Sequence, residues 1–256
     1  MMAPALAITA VLLFSPIAQK SVEAVAAGLS SADPSERTRA ACELRELGRD
    51  AAPMLSRLTA MLGDASPVEA TVCREHTWRF GNMQESTTPG EQAASALVAI
   101  GTPAYDPLTK ALAGPAWIAR KNAAWALGAM GNRNAVPLLS RTLRDDEAGV
   151  RKRSAWALGA LDGSEAVPAL VDALKDVDAG VREQAAWALG AIGDRRGVDG
   201  LIGALDDSVA AVRHQAAWAL GAIGDRKAVN PLTKALKDSD ARVRKQAAWA
   251  LGAIGG

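Results

Sequence analysis

Apolar and polar positions fall into two alternating helical stripes along most of this chain. In 150–161, Val150, Ser154, Ala157, Leu158 and Leu161 lie within about 100° on a 3.6-residue wheel, which predicts an amphipathic helix, here A. Asp162-Gly163-Ser164 interrupts it, with Gly163 suited to a left-handed turn. Val167, Leu170, Val171 and Leu174 then form the stripe of a second helix, B, with Pro168 in its first turn, where a missing N–H costs little. Asp176 and Asp178 follow, suited to accept from the free N–H groups at the next helix start.

The same frame predicts A helices near 37–48, 90–101, 120–131, 151–162, 182–193, 213–224 and 244–255. B helices are predicted near 21–30, 51–62, 104–113, 135–145, 166–176, 197–207 and 228–238. Ala-Trp-Ala-Leu-Gly occurs five times, starting at Ala124, Ala155, Ala186, Ala217 and Ala248, always 31 residues apart. A fixed period of this size marks a solenoid, in which each unit touches only its neighbours. The fold class is therefore all-α, with antiparallel helix pairs stacked in one direction.

The consensus Val-Arg-x-x-Ala-Ala-Trp-Ala-Leu-Gly-Ala-Ile-Gly-Asp-x-x-Ala-Val-x-x-Leu-x-x-Ala-Leu-x-Asp resembles the short HEAT-like repeats first named for phycobilisome lyases. Residues 212–238 match it almost position for position. The resemblance is strong from about 120 onward, good for 20–62 and 90–113, and absent from the leader and from 63–89. It implies a right-handed superhelix with A helices on the convex side and B helices on the concave side. It specifies fold far better than function. Two enzyme families share such a fold. Deoxyhypusine hydroxylases hold two irons with His-Glu pairs, whereas His76 and His214 here precede Thr77 and Gln215. Repeat-type phycobilin lyases act in the cytosol with partners. With no repeated nucleophile–base constellation either, no catalytic residue, metal or cofactor is expected.

Composition narrows the partners. The 29 basic and 28 acidic residues are interleaved to a net charge of +1, not gathered into the basic stripe that nucleic acid requires. Residues 3–18 are uncharged and apolar, too short to span a bilayer, and of a length that suits a secretory signal. An apolar capping helix is the alternative. Export would place Cys42 and Cys73 where a single pair forms a disulfide; in a reducing compartment they remain thiols. The domain reading is a leader at 1–18, N-terminal repeats at 19–62, an insert at 63–89 and a repeat array at 90–256.

Three sets of residues stand out. Arg37, Arg120, Arg151, Arg182, Arg213 and Arg244 form one column at the start of helix A, and Asp145, Asp176, Asp207 and Asp238 another at the end of helix B. Their opposite sign predicts a structural ladder of charge-assisted hydrogen bonds, with an anion-binding row as the alternative. Trp125, Trp156, Trp187, Trp218 and Trp249 lie outside the A stripe. They either fill grooves between adjacent A helices or form an exposed strip for a protein or a sugar polymer. Arg141, Asp172 and Lys234 occupy a B-helix column that changes from repeat to repeat, as a partner-encoding face does. The insert adds His76 and Trp78, and is either a binding loop or a structural cap. A Cys42–Cys73 bridge would pin it to the A helices.

Helix 244–255 has no B helix after it, which is expected of a truncated sequence first; a face buried by another molecule and head-to-tail self-association are the alternatives. The leading functional expectation is a non-enzymatic, exported protein-interaction scaffold in the periplasm or outside the cell. The alternatives are a cytosolic accessory or lyase-like chaperone, or a polysaccharide-binding solenoid using the tryptophans.

Overall fold

A computed structural model describes residues 22–73, 78–79, 82–83 and 86–255 as an α-solenoid. In chain order the first helices are α1 (Val22–Ala26), α2 (Pro34–Leu47), α3 (Leu55–Met61), α4 (Pro89–Ile100) and α5 (Tyr105–Leu112). Then come α6 (Trp117–Ala129), α7 (Val136–Thr142), α8 (Ala148–Ala160), α9 (Val167–Ala173) and α10 (Ala179–Ile192). The last four are α11 (Val198–Ala204), α12 (Ala210–Ile223), α13 (Val229–Ala235) and α14 (Ala241–Gly255). The even-numbered helices from α2 are the A helices, and the odd-numbered ones are the B helices.

Both helix types differ in extent from the sequence expectation. A helices of the array start about three residues early; before α10, for example, Asp178 is the N-cap and accepts from Val181 N. B helices are not uninterrupted. Each of α7, α9, α11 and α13 is a seven-residue helix entered through a 3-10 turn, such as Ser164–Ala166 before α9. Bonds from Lys175 N to Asp172 O and from Asp176 N to Ala173 O, three residues back, close α9 tightly.

The core is one continuous stack. Successive A helices pack on one another from α2 to α14, and each B helix packs on the A helix that follows it. The glycine of Ala-Trp-Ala-Leu-Gly sets the spacing. A Cβ added to Gly128, Gly159, Gly190 or Gly221 would stand 2.7–2.8 Å from the Cα of Ala157, Ala188, Ala219 or Ala250 on the next A helix. Only glycine facing alanine permits that approach, which is why small residues fill these columns.

The turn after helix A corrects another expectation. Gly131, Gly193 and Gly224 take the left-handed position, at φ 72–73°. In the repeat that holds Gly163, the left-handed residue is Asp162, at φ 52°, while Gly163 has φ −79°.

The insert is partly built of short antiparallel ladders. Strand β1 (Val68–Glu69) pairs with β4 (Ser86–Thr87), while β2 (Trp78–Arg79) pairs with β3 (Asn82–Met83). Cys42 on α2 and Cys73 are joined in a disulfide, with their Cα atoms 6.0 Å apart and both residues buried. The other root is held by Thr88, which caps α4, and by Gln92 Nε2, which donates to Thr87 Oγ1 at 3.0 Å. No described helix is long and apolar enough to cross a membrane.

Candidate interaction surfaces

The arginine–aspartate ladder forms, and each arginine works in two directions. Arg151 Nε and Nη2 donate to Asp176 Oδ2 and Oδ1 at 2.6 and 2.8 Å, a bidentate pair spanning one helix pair. Its Nη1 donates back to the carbonyls of Asp145 and Asp146 at 2.8 and 3.0 Å. Asp176 Oδ1 also accepts from Asp178 N. Arg120 with Asp145, Arg182 with Asp207 and Arg213 with Asp238 repeat this pattern. The guanidinium therefore closes its own repeat through a side chain and ties to the preceding one through backbone. The Arg120, Arg182 and Arg213 hydrogen bonds hold Asp145, Asp207 and Asp238 below the ordinary carboxylate range, against the opposing push of burial. For Asp176 burial is the largest influence and acts upward, but Arg151 and the Asp178 N–H outweigh it.

The ladder departs from expectation at both ends. Arg37 is paired, but with Asp64, which the 31-residue frame missed because it lies 27 residues on instead of 25. Arg244 lies in the column, yet its bonds run to the carbonyls of Asp238 and Ser239 and to no aspartate side chain. Between Asp64 and Arg120 one rung is replaced entirely. Gly90 stands where α4 would carry arginine, and its N–H donates to Asp64 O at 3.0 Å. Gly114 stands where the following aspartate would be, and its carbonyl accepts from Arg120 Nη1. Both partners are missing together, so no buried charge is stranded.

The tryptophans pack. Cζ3 of Trp156, Trp187, Trp218 and Trp249 lies 2.6–3.0 Å from the Cβ position of Gly128, Gly159, Gly190 and Gly221 on the preceding A helix. Trp125 and Trp156 stack with ring centroids 6.4 Å apart and planes inclined by 18°. Trp125, Trp156, Trp187 and Trp218 are partly buried, whereas Trp249 is 49% exposed. Filling of the inter-helix groove accounts for the column, and each indole remains partly accessible. Trp117 on α6, outside the column, is 42% exposed.

The B helices carry a different surface. Arg141, Asp172 and Lys234 are all exposed, as are Arg144, Lys175, Asp206 and Lys237 one turn on. Between α11 and α13 lies a depression of about 230 Å³, lined by Ile202, Leu205, Pro231 and Ala235 and by two charges of each sign, Lys234, Lys237, Asp206 and Asp238. His76 lies outside the described residues; the backbone of Trp78 is placed in β2. Among the described residues no group of three His, Cys, Asp or Glu side chains is placed to hold a metal ion.

Solved structures share the fold. An engineered protein is similar, at 24% identity over 91% of this chain and 96% of that one, with a TM-score of 0.53. The complex of CpcE and CpcF of phycocyanin lyase from Nostoc sp. PCC7120 is similar at 21% identity, covering 91% and 94%, with a TM-score of 0.50. A designed armadillo repeat protein in complex with the peptide (KR)4 is similar at 19% identity, covering 85% and 99%, with a TM-score of 0.53. No curated protein matches the sequence. Residues 105–190, 143–213 and 198–256 match the family model for HEAT repeats, more than half of the chain, and with a glycine-spaced, arginine-laddered helix stack beneath that match the protein belongs to the HEAT-repeat family.

Proposed function

We propose that this chain is a non-enzymatic protein-interaction scaffold that works outside the cytosol. One observation carries the scaffold reading: the residues that recur along the array from α6 onward are largely consumed by packing, while residues that change lie exposed on the B helices. A fold that buries its constant columns and varies an outward one presents a partner-specific surface on a fixed frame. The buried Cys42–Cys73 bridge supports an oxidising compartment, since such bonds persist there and are rare in the cytosol.

Two measurements test this. Intact masses of the native protein from envelope and cytosolic fractions, with thiol alkylation, give the compartment; a full-length cytosolic form with two free thiols removes the export reading. Photocrosslinking residues placed at exposed sites on both helix layers should capture one reproducible protein. Capture of no protein from any site removes the scaffold. Trp187→Ala separates the two roles of the tryptophans: loss of about 2–4 kcal/mol of stability marks packing, while lost capture at unchanged stability marks contact.

A further inference from the structure

We propose that the B-helix face binds an extended acidic segment of a partner protein, with one apolar side chain of that segment seated between α11 and α13. The inference rests on the scaffold reading above and adds the site and the chemistry. Two parallel columns define the face. The first holds Lys110, Arg141, Asp172, Gly203 and Lys234; the second holds Ala113, Arg144, Lys175, Asp206 and Lys237. That makes six cations and two carboxylates, on a chain whose overall charge is nearly balanced.

The state of these charges matters more than their number. The ladder arginines from Arg120 to Arg213 are in bidentate pairs, and the A-to-B turns hold pairs such as Arg196–Asp194, Arg133–Asp162 and Lys227–Asp199. Among the described residues, none of the six cations of this face has a side-chain hydrogen bond or an ion pair, and all six are exposed. Unpaired cations in two rows attract carboxylates without first breaking a bond, which favours fast, salt-sensitive capture.

The order of charges shapes the occupant. Arg141 on α7 and Arg144 just beyond it form one positive end, and Lys234 on α13 and Lys237 just beyond it form the other, with Asp172, Lys175 and Asp206 between. Three helix spacings separate the ends, roughly 25–30 Å. An extended chain covers that in about eight or nine residues. The segment therefore carries two acidic clusters about that far apart, with few acids between them. At the α13 end the depression is lined by Ile202, Leu205, Pro231 and Ala235 together with Lys234, Lys237, Asp206 and Asp238, so a leucine-sized side chain fits on its apolar residues while the acids of the segment stay on the lysine side. A Cβ at Gly203 would meet nothing within 4 Å, so α11 leaves the approach open.

The probe is a fluorescein-labelled peptide with Asp-Glu pairs about eight residues apart and one leucine beside the second pair, read by anisotropy at low ionic strength. Binding should fall steeply with salt. It should weaken roughly tenfold or more with Arg141→Glu/Arg144→Glu, and again with Lys234→Glu/Lys237→Glu. Lys152→Glu/Lys245→Glu, on exposed A-helix positions, should leave it unchanged. Asn-Gln pairs in the peptide should abolish binding, and serine in place of its leucine should weaken it severalfold. Equal loss from the A-helix variant, or equal binding of the amide peptide, overturns the proposal. All the variants are at exposed sites, and a thermal midpoint matching the parent excludes misfolding as the cause.

A photocrosslinking residue at position 203 and another at position 152 keep this proposal separate from the scaffold reading. Capture at 203 of a segment bearing paired acidic clusters supports the proposal. Capture at 152 alone keeps the scaffold and refutes this face; capture at neither, nor at other exposed sites, refutes both.

Discussion

The array from α6 to α14 and the region from α1 to α5 solve the same problem in two ways. In the array, three columns do the work: glycine against alanine, an indole over that contact, and an arginine–aspartate rung across the turns. In the earlier region all three columns change. Cys42 and Ser95 stand in the tryptophan column, Arg45 and Val98 in the glycine column, and Gly90 and Gly114 replace a rung. What replaces them is covalent and local: a disulfide from α2 to the insert, a two-stranded ladder at its root, and the Gly90 N–H on Asp64 O. The difference shows that repeat identity in a solenoid reports identity of contacts. Where a rung goes, as at Gly90 and Gly114, both of its partners go together, while the Arg37–Asp64 rung stays whole.

Breaking the covalent solution should give the largest effect. Cys73→Ser opens a loop of 31 residues, for which chain entropy predicts a loss of about 3–4 kcal/mol. Units of a solenoid touch only neighbours, so the loss should stay within α1 to α5. Hydrogen exchange should show faster opening there and unchanged protection in α8 to α14. Uniform loss along the chain would mean that the two regions fold as one.

The glycine column can be tested in both directions. Alanine normally gains about 1 kcal/mol over glycine inside a helix. At Gly190 the added Cβ meets Ala219 Cα at 2.7 Å and Trp218 Cζ3 at 2.6 Å, so Gly190→Ala should lose about 2 kcal/mol net. At Gly252 nothing lies within 4 Å, and Gly252→Ala should gain up to about 1 kcal/mol. Urea midpoints of the two variants should move in opposite directions. Movement in the same direction would show that helix propensity, not close approach, governs the column.

The ladder yields the next effect. Arg151 and Asp176 are 11% and 10% exposed, so Asp176→Asn should cost roughly 2 kcal/mol, below the full cost of stranding a buried charge because asparagine still accepts. The carboxyls of Asp145, Asp176, Asp207 and Asp238 are all held below their ordinary values. Their contribution is therefore complete above the unfolded value near 3.9 and is lost as pH falls through the lower folded values. The parent should lose stability steeply below about pH 4, and Asp176→Asn should flatten that slope by one proton. An unchanged slope would take Asp176 out of the linkage.

Much of this was legible because the array repeats. Spacing and stripe located every A helix, and columns of opposite charge foretold the rungs. What escaped was whatever broke the period. Asp64 lies two residues out of register with the later rungs, and the paired absence at Gly90 and Gly114 looks like nothing until backbone bonds reveal what each glycine does. The A and B helices look alike on a wheel, but the bonds that shorten the B helices run to backbone carbonyls and leave no mark in composition. The wheel places the tryptophan column off the A stripe but does not choose packing over exposure. That choice depends on how closely the next helix comes, which the glycine column sets.

The smallest effect comes from the one turn of the array in which a residue other than glycine holds the left-handed position. Gly131, Gly193 and Gly224 hold that position at no steric cost, while Asp162 holds it with a Cβ pressed toward its own carbonyl. Aspartate tolerates this conformation better than most residues, so the strain is modest. Its compensation is weak as well: Asp162 Oδ2 accepts from Arg133 at 3.2 Å, but the two side chains are 69% and 49% exposed, and such a pair contributes little in water. Relief of backbone strain should therefore exceed loss of the ion pair, and Asp162→Gly should stabilise the chain by about 0.5–1 kcal/mol. Raising salt should leave that gain unchanged, because the ion pair is nearly silent. Destabilisation that vanishes at high salt would instead mean that this turn is held by charge.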